Sequence, residues 1–490
     1  MRRLRANALG ANRQNKSRAK RKLPPQVCCS RMLAGSLCPI ATSHRWADHL
    51  HAPRATQTRG HQAVDRQAAA AQTICPQRLT VPLVSSLQDP DRGPAHSGWR
   101  IPRIDALRGM ALMGILQVNI QSFTWGAGEP LGYLSSPPGV AESILYLFQA
   151  AFIQGKFYPI FAFLFGVGIA LQTRKLQKRY RAEGRLATTT YRRRLLFLLV
   201  LGIAHGLVLY CGDVLTAYAI CALAFVSLAP VRLRSLVVVS LWAGAAAVLS
   251  IFLPVLLASA LDLEETTSEI PASIVRAHEI YCYGGFFSQL GQRWIDELWQ
   301  QIASIPTFWP QVIALFALGS LAGRLGWLQH PGRHALVWRR AWVIGLGVGL
   351  PTALLGAAMN FVRARDLPGA EAGWDQVVLG TSSVLSMAYI AAAVYAFDQP
   401  WGAIAQRWLA SAGRMSLSNY LGQSLIMGAL LSGWGLGWGA NASRAQLAML
   451  ALLIFIGQVA LSNWLLASFR QGPIEALWRR WTYQNAASPG

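Results

Sequence analysis

His205 lies near the middle of a long apolar segment, and its residue type is hard to explain by packing alone. The segment L-L-F-L-L-V-L-G-I-A-H-G-L-V-L-Y covers residues 195–210. An imidazole titrates near neutral pH and can act as a general base or a proton carrier. Because an ionisable group at bilayer depth costs free energy, such a residue is expected to have a function and a polar partner. The structural alternative is a neutral histidine that hydrogen-bonds between two helices.

Asp213 is the acid that follows His205 in sequence. On one straight helix their side chains would be separated by about 12 Å of rise and about 80° of rotation. We therefore expect no direct hydrogen bond, and no Ser-His-Asp relay within this helix, unless the helix breaks at Gly206 or Gly212. The polar candidates for a partner on other segments are Asp105, Asn119, Lys156 and Gln423.

The first apolar segment opens with R-I-D-A-L-R-G, residues 103–109. Asp105 and Arg108 are three positions apart, so they share a helix face and can form an ion pair. By itself this pair favours an interfacial anchor. Asn119, deeper in the segment, falls within about 60° of both residues, and this favours a lined cavity.

A second polar stripe lies in S-A-G-R-M-S-L-S-N-Y-L-G-Q-S, residues 411–424. Ser416, Asn419, Tyr420 and Gln423 fall within about 100° of one another on a helix. Hydrogen bonds between helices are the usual role of such residues, and a binding surface is the alternative. The glycine runs at 165–168 and 345–349 lie in apolar segments with no preceding strand, so we interpret them as sites of close helix packing.

These residues must be positioned by helices, because the composition is that of a polytopic membrane protein. The chain has 490 residues, of which 53% are hydrophobic and 13% charged. Apolar segments recur from about residue 104, and each can cross roughly 30 Å of hydrocarbon as a helix. We predict an all-α transmembrane bundle of about ten spans in residues 99–483. The spans lie near 104–123, 143–172, 195–211, 214–230, 235–260, 306–327, 341–361, 376–397, 413–432 and 446–468.

The charges of the connecting loops predict the orientation. Loop 173–194 is rich in Lys and Arg. Loops 124–142 and 261–305, on the opposite side, carry the acids Glu129, Asp262, Glu264, Glu265, Glu269, Asp296 and Glu297. The positive-inside rule then puts both termini in the cytoplasm. Two segments depart from a simple pattern. Residues 143–172 are too long for one crossing and suggest a break at G-K-F-Y-P, and loop 261–305 suggests an amphipathic helix on the outer membrane surface.

Half of the excess positive charge lies outside the predicted bundle. The formal net charge is +24, and residues 1–100 hold 17 of the 45 Lys and Arg. Residues 1–98 lack periodicity and predict a disordered basic extension, and residues 484–490 predict a short tail. We expect the lipid bilayer, and no nucleic acid, as the partner of the chain. The seven cysteines show no metal-ligand spacing, so no metal site is expected.

Four sequence blocks together resemble a known family. They are residues 103–120, 155–168, 192–220 and 412–483, the last running from A-G-R-M-S-L-S-N-Y to F-R-Q-G-P-I-E-A-L-W-R-R-W-T-Y. Their order and residue identities resemble the YeiB-like family of bacterial inner-membrane proteins, whose C-terminal half is known as domain of unknown function 418. The resemblance covers roughly residues 100–483, with that domain expected over 372–483. It implies a multi-pass protein of the bacterial inner membrane.

The opening D-x-x-R-G is also distantly similar to the transmembrane acyltransferase superfamily. This similarity implies transfer of an acyl group from cytoplasmic acyl-CoA to a cell-envelope glycan or small polar acceptor, with no bound cofactor. His205 would be the base or acyl carrier, because residues 122–156 lack the histidine that those enzymes carry after their first span. The residues that could bind substrate or donor are Asp105, Arg108, Asn119, Lys156, Asp213, Arg414, Asn419, Tyr420 and Gln423.

Three functions remain open at this point. The first is a membrane-embedded acyltransferase. The second is a transporter or exporter of a small solute that uses the same polar stripes as a pathway. The third is a non-catalytic membrane partner, for which His205→Ala and Arg108→Ala would leave function intact.

Overall fold

The computed structural model describes residues 100–125, 139–179, 184–227, 232–260, 272–366 and 373–483. The predicted extension 1–98 and tail 484–490 lie outside these ranges. The described part is 88% helical and contains no strand, which confirms the all-α prediction.

Sixteen helices are described, and they are numbered here in chain order. The first eight are α1 Pro102–Asn119, α2 Ser122–Trp125, α3 Val140–Phe152, α4 Tyr158–Arg179, α5 Gly184–Val208, α6 Val214–Ser227, α7 Leu233–Ala260 and α8 Ala272–Tyr283. The second eight are α9 Phe286–Leu325, α10 Ala335–Ile344, α11 Leu350–Asp366, α12 Gly373–Phe397, α13 Pro400–Arg414, α14 Ser416–Leu431, α15 Arg444–Ser468 and α16 Pro473–Tyr483.

Six stretches of described helix are long and apolar enough to cross a membrane. They lie in α4, α7, α9, α10 with α11, α12 and α15. These apolar helices indicate a membrane protein. The other predicted spans fall on α1, α5, α6 and α14, which are shorter or more highly charged; α6, for example, has 14 residues. The count of ten crossings therefore stays a prediction.

The predicted break between residues 143 and 172 is present. Helix α3 ends at Phe152 and α4 begins at Tyr158, and Gly155 between them has a left-handed φ of 74°. Lys156 in this turn is fully buried, and its Nζ donates a hydrogen bond to the Ala150 carbonyl at 2.7 Å. The turn therefore gives the lysine a backbone partner inside the protein.

Helix α9 corrects the prediction that residues 261–305 form a loop with a helix on the outer surface. It has 40 residues, or about 60 Å, and its first half, residues 286–305, covers the second half of that predicted loop. The polar face of this half, which includes Arg293 and Glu297, is buried, while Trp294, Leu298 and Trp299 are exposed. The apolar face therefore points out of the protein. The prediction was wrong because the polar face packs on other protein groups instead of facing water.

Glycines bring α4 and α9 into backbone contact. A Cβ on Gly166 of α4 would lie 2.4 Å from the Phe316 carbonyl oxygen, and one on Gly319 of α9 would lie 2.0 Å from the Phe163 oxygen. Neither position can accept a larger residue without moving a helix. This close approach confirms that the glycine run at 165–168 serves helix packing.

Candidate functional site

The turn between α5 and α6 brings Asp213 back to His205. Helix α5 ends at Val208 and α6 begins at Val214, and Gly212 in the turn has a φ of 127°, which favours glycine. His205 Nδ1 consequently lies 2.9 Å from Asp213 Oδ1. A direct contact was expected only if the helix breaks at Gly206 or Gly212. The helix does break before Asp213, with Gly212 in the turn, and the contact forms.

Ser424 of α14 is the second partner of His205. The His205 Nε2 atom lies 2.8 Å from Ser424 Oγ. The imidazole is thus held between a carboxylate and a hydroxyl, an arrangement called here the histidine relay (Asp213, His205 and Ser424). All three residues are buried, Ser424 at 1% exposure. The sequence-based expectation was against a relay within one helix. The relay seen here takes its serine from a distant helix, α14, which that expectation did not consider.

The partners of the imidazole define its chemistry. An ionised carboxylate only accepts hydrogen bonds, so Asp213 orients the ring with the proton on Nδ1. Nε2 then presents its lone pair to the Ser424 hydroxyl, which donates. This is the arrangement in which histidine acts as a general base toward a serine nucleophile, and the aspartate stabilises the imidazolium that forms.

Asp213 also begins helix α6. Its Oδ2 accepts hydrogen bonds from the Thr216 backbone N–H at 2.8 Å and from the Thr216 hydroxyl at 2.9 Å. These are the contacts of a helix N-cap. The Tyr420 hydroxyl donates to Oδ1 at 3.3 Å, and the Tyr420 ring lies 4.8 Å from the imidazole, centroid to centroid. Both carboxylate oxygens are therefore held in place by the protein itself.

The polar face of α9 satisfies the backbone of the α5–α6 turn. Glu297 Oε2 accepts from the Gly212 N–H at 2.9 Å, and Gln301 Nε2 donates to the Asp213 carbonyl at 2.9 Å. Arg293 Nη1 donates to the Val208 carbonyl at the end of α5, also at 2.9 Å. Broken backbone inside a membrane protein needs such partners, because lipid supplies none.

Two glycines that flank His205 on α5 make these approaches possible. A Cβ on Gly202 would lie 2.6 Å from the Thr216 nitrogen and 2.8 Å from Asp213 Oδ2. A Cβ on Gly206 would lie 2.7 Å from Glu297 Oε1. Helix α5 can therefore approach the N-terminus of α6 and the Glu297 carboxylate only where it carries no side chain.

The four residues proposed from sequence as cross-helix partners of His205 make other contacts. Asp105 Oδ1 accepts from Arg108 at 3.2 Å, as their spacing predicted. Lys156 bonds to the Ala150 carbonyl, and Gln423 Nε2 donates to Gln458 Oε1 of α15 at 2.8 Å. Asn119 is half-buried near the end of α1. The hydrogen bonds of His205 go to Asp213 and Ser424 instead.

The α14 stripe divides between two roles. Asn419 donates to the Ala412 carbonyl and to Ser462 Oγ, each at 3.0 Å, so it joins Gln423 in packing α14 on its neighbours. Tyr420 faces the histidine relay. Arg414 ends α13 and donates to the Arg470 carbonyl at 3.3 Å. Of the predicted site residues, the structure brings together His205, Asp213 and Tyr420.

Sequence reasoning missed Ser424 and Glu297. Ser424 closes the polar stripe of α14, one helical turn after Tyr420, and this spacing was a signal for it. Glu297 was counted among the acids of an outer loop. Its burial depends on the rotation of α9, which the sequence pattern does not reveal.

Comparisons with known proteins agree with the sequence blocks. Residues 322–485 match the family model described as Protein of unknown function (DUF418), and the predicted range 372–483 lies within this match. The chain is 27% identical over 429 residues to the uncharacterized protein YxaH of Bacillus subtilis (strain 168), covering 82% of this chain and 97% of YxaH.

A second relative is the uncharacterized protein YeiB of Escherichia coli (strain K12), which is 27% identical over 406 residues. This alignment covers 79% of this chain and 97% of YeiB. No solved structure matches the chain. The chain is thus similar to YxaH and YeiB over most of its length, and its residues 322–485 match the DUF418 family model.

Proposed function

We propose that the protein is a membrane-embedded acyltransferase in which Ser424 is the nucleophile and His205 the general base. One observation carries this proposal: the imidazole lies 2.9 Å from Asp213 on one side and 2.8 Å from Ser424 on the other. A serine hydroxyl is a weak nucleophile until an adjacent base accepts its proton, and this geometry supplies the base.

The proposed reaction has two steps. Ser424 Oγ attacks the carbonyl carbon of an acyl thioester, its proton passes to His205 Nε2, and the thiol leaves with that proton. An acceptor hydroxyl then attacks the acyl-serine, gives its proton to His205, and the serine oxygen recovers it. Asp213 stays ionised and stabilises the imidazolium in both steps.

The arrangement of charges supports a donor that approaches from the basic end of the molecule. The basic end is where Lys175 of α4 and Arg194 of α5 line one space, with Arg108 of α1 beside the lining residue Gln172. In the proposed orientation it faces the cytoplasm of a bacterial cell, with both termini on that side and the ten predicted spans in the inner membrane. The donor would be acyl-CoA, and the acceptor an envelope glycan or small polar molecule on the path to the outer side.

A serine-directed fluorophosphonate probe tests the nucleophile without knowledge of the substrate. We expect covalent labelling of the native protein in membranes, and loss of labelling in Ser424→Ala and His205→Ala. Ser462→Ala is the matched control, because Ser462 is also fully buried but bonds to Asn419. Its labelling should equal that of the unmodified protein. Labelling that survives Ser424→Ala would refute the assignment.

Radiolabelled acyl-CoA then tests the reaction class. Membranes that contain the protein should form an acyl-protein that Ser424→Ala membranes lack, and a panel of polar acceptors should discharge it. If neither the donor panel nor the fluorophosphonate modifies Ser424, the acyltransferase proposal is wrong.

Transport of a small solute is the second candidate, and the break between α5 and α6 favours it. Helix interruptions that place polar backbone and acids inside the protein are typical of transporter binding sites. In that case reconstituted vesicles should accumulate or release solute without an acyl donor. Ser424→Ala would then keep transport, while Asp213→Asn would lose it. The third candidate is a non-catalytic membrane partner. In that case the His205→Ala and Arg108→Ala variants should fully rescue a deletion strain.

A further inference from the structure

A small cavity lies at the basic end of the molecule, away from the histidine relay. Its volume is about 40 Å³, which is room for about three waters at the ~10–15 Å³ that each requires. It lies between α4, α5 and α16. The residues that line it, called here the basic-end cavity, are Gln172, Lys175, Leu176, Thr190, Tyr191, Arg194, Thr482 and Tyr483.

The lining is cationic and rich in hydrogen-bond donors. Lys175 and Arg194 supply two positive charges, and within the described residues no carboxylate lies among the lining. Arg108 adds a third charge close by. A Cβ atom added to Gly168 would lie 3.6 Å from Arg108 Nη2 and 3.9 Å from Gln172 Nε2. Arg108 therefore lies beside the lining residue Gln172. Asp105 pairs with Arg108, but no carboxylate among the described lining residues pairs with Lys175 or Arg194. These two cations repel each other across the space unless an anion lies between them.

Arg194 is held rigidly in this position. Its guanidinium lies flat over the Trp478 ring, 3.4 Å from the ring centroid, and Trp478 Nε1 donates to the Arg194 carbonyl at 2.9 Å. Stacking occupies the face of the guanidinium and leaves its N–H groups available at the edge. A planar guanidinium that presents its edge is suited to two oxygens of one phosphate group.

We propose that the basic-end cavity binds a phosphate group of an organic ligand. The occupant must be anionic, because the site holds two lining cations and a third beside it. The part of the ligand inside the cavity must also be compact, because the cavity has room for only a few water molecules. A phosphate meets both requirements, and its oxygens can accept from Lys175 and Arg194 together.

The position of the cavity also bears on the acyl donor, and this step rests on the proposed function. Arg194 and His205 lie on the same helix, eleven positions apart, which is about 16 Å along its axis. A donor bound by its phosphate at the cavity would need an extended arm of about that length to reach the relay. Coenzyme A thioesters have this form, with phosphates at one end and the acyl group at the other.

Binding to the purified protein in nanodiscs of zwitterionic lipid tests the site. The probes are inorganic pyrophosphate, coenzyme A and added phosphatidylglycerol, which separate a free phosphate, a carrier and a lipid headgroup. Lys175→Gln removes an exposed cation from the lining and should weaken binding about tenfold. Arg174→Gln is the matched control, since Arg174 is the exposed neighbour on α4 but does not line the cavity. It should change the affinity by less than about twofold at physiological salt.

The outcomes are distinct. Saturable binding of any probe that depends on Lys175 and not on Arg174 supports the site, and the probe that binds most tightly identifies the source of the phosphate. Equal losses in both variants, or no saturable binding of any probe, would overturn it. Ser424→Ala protein should bind as the unmodified chain does. A failure of acyl transfer therefore leaves the binding result intact, and the two proposals can fail separately.

Discussion

Replacing Asp213 removes the acceptor of four hydrogen bonds. The donors are His205 Nδ1, the Tyr420 hydroxyl, and the backbone N–H and hydroxyl of Thr216. Asp213→Ala leaves all of them without this partner. Asp213→Asn keeps one side-chain oxygen. That oxygen can accept either from Thr216, as the helix cap, or from His205 Nδ1, but not from both.

The expected loss of stability follows from these contacts. An N-cap contributes about 1 kcal/mol, and a buried donor left unsatisfied costs about 1–3 kcal/mol. With His205 and Tyr420 both affected, Asp213→Ala should lower the free energy of unfolding by about 3–7 kcal/mol. Asp213→Asn should lower it by about half as much. If the amide NH₂ group of the Asp213→Asn variant faced Nδ1, the imidazole proton would move to Nε2. A protonated Nε2 cannot accept the Ser424 hydroxyl proton, so turnover should fall about 10⁴-fold.

Thermal unfolding in nanodiscs, followed by tryptophan fluorescence, measures the stability. Ser443→Ala is a matched control, because Ser443 caps α15 through its contact with the Gln446 N–H at 3.3 Å but is exposed. It reports the value of a cap without the buried contacts, about 1 kcal/mol. The loss should increase in the order Ser443→Ala, Asp213→Asn, Asp213→Ala.

An Asp213→Ala variant no less stable than Ser443→Ala would refute the reasoning. The carboxylate would then contribute no more than an ordinary helix cap, and the buried hydrogen bonds to His205 and Tyr420 would carry no weight. An Asp213→Asn variant that keeps full fluorophosphonate labelling of Ser424 would equally refute the role of Asp213 in orienting the imidazole.

Three further predictions use the same assays. Gly206→Ala should destabilise the protein by about 1–3 kcal/mol, because the added Cβ would clash with Glu297. Gly457→Ala should not, since no atom lies within 4 Å of the Gly457 Cβ position. Equal melting temperatures for the two variants would contradict this. Tyr420→Phe should slow the labelling of Ser424 at least about tenfold, the lower value for a hydrogen bond to a charged carboxylate. An unchanged rate would show that the Tyr420 hydroxyl is dispensable. Gln423→Leu should cost about 0.6 kcal/mol and leave labelling intact, since it loses only the bond to α15; loss of labelling would place it in the site.

The helical pattern and the break before α4 could be predicted from sequence, because both depend on local composition. Runs of apolar residues predict helices that lipid can surround, and G-K-F-Y-P combines a flexible glycine with a proline. The Asp105–Arg108 pair was likewise local, since three positions on a helix fix the distance between the side chains. The family blocks placed His205 and Asp213 in one recurring setting without giving their distance.

The orientation of α9 could not be predicted in the same way. Its first half has a polar face and an apolar face, and such a pattern fits a helix on a membrane surface as well as one inside. Contacts with the α5–α6 turn decide between them. Glu297 and Arg293 turn inward because the open ends of two helices require hydrogen-bond partners there.

The sequence by itself determined that this chain is a helical membrane protein with a histidine in an apolar segment. It could not determine the partners of that histidine. Asp213 reaches His205 only because the chain reverses at Gly212, and Ser424 reaches it from 219 positions further along the chain. Helix spacing sets distances within one helix, whereas turns and packing between helices set the distances on which the proposed chemistry depends.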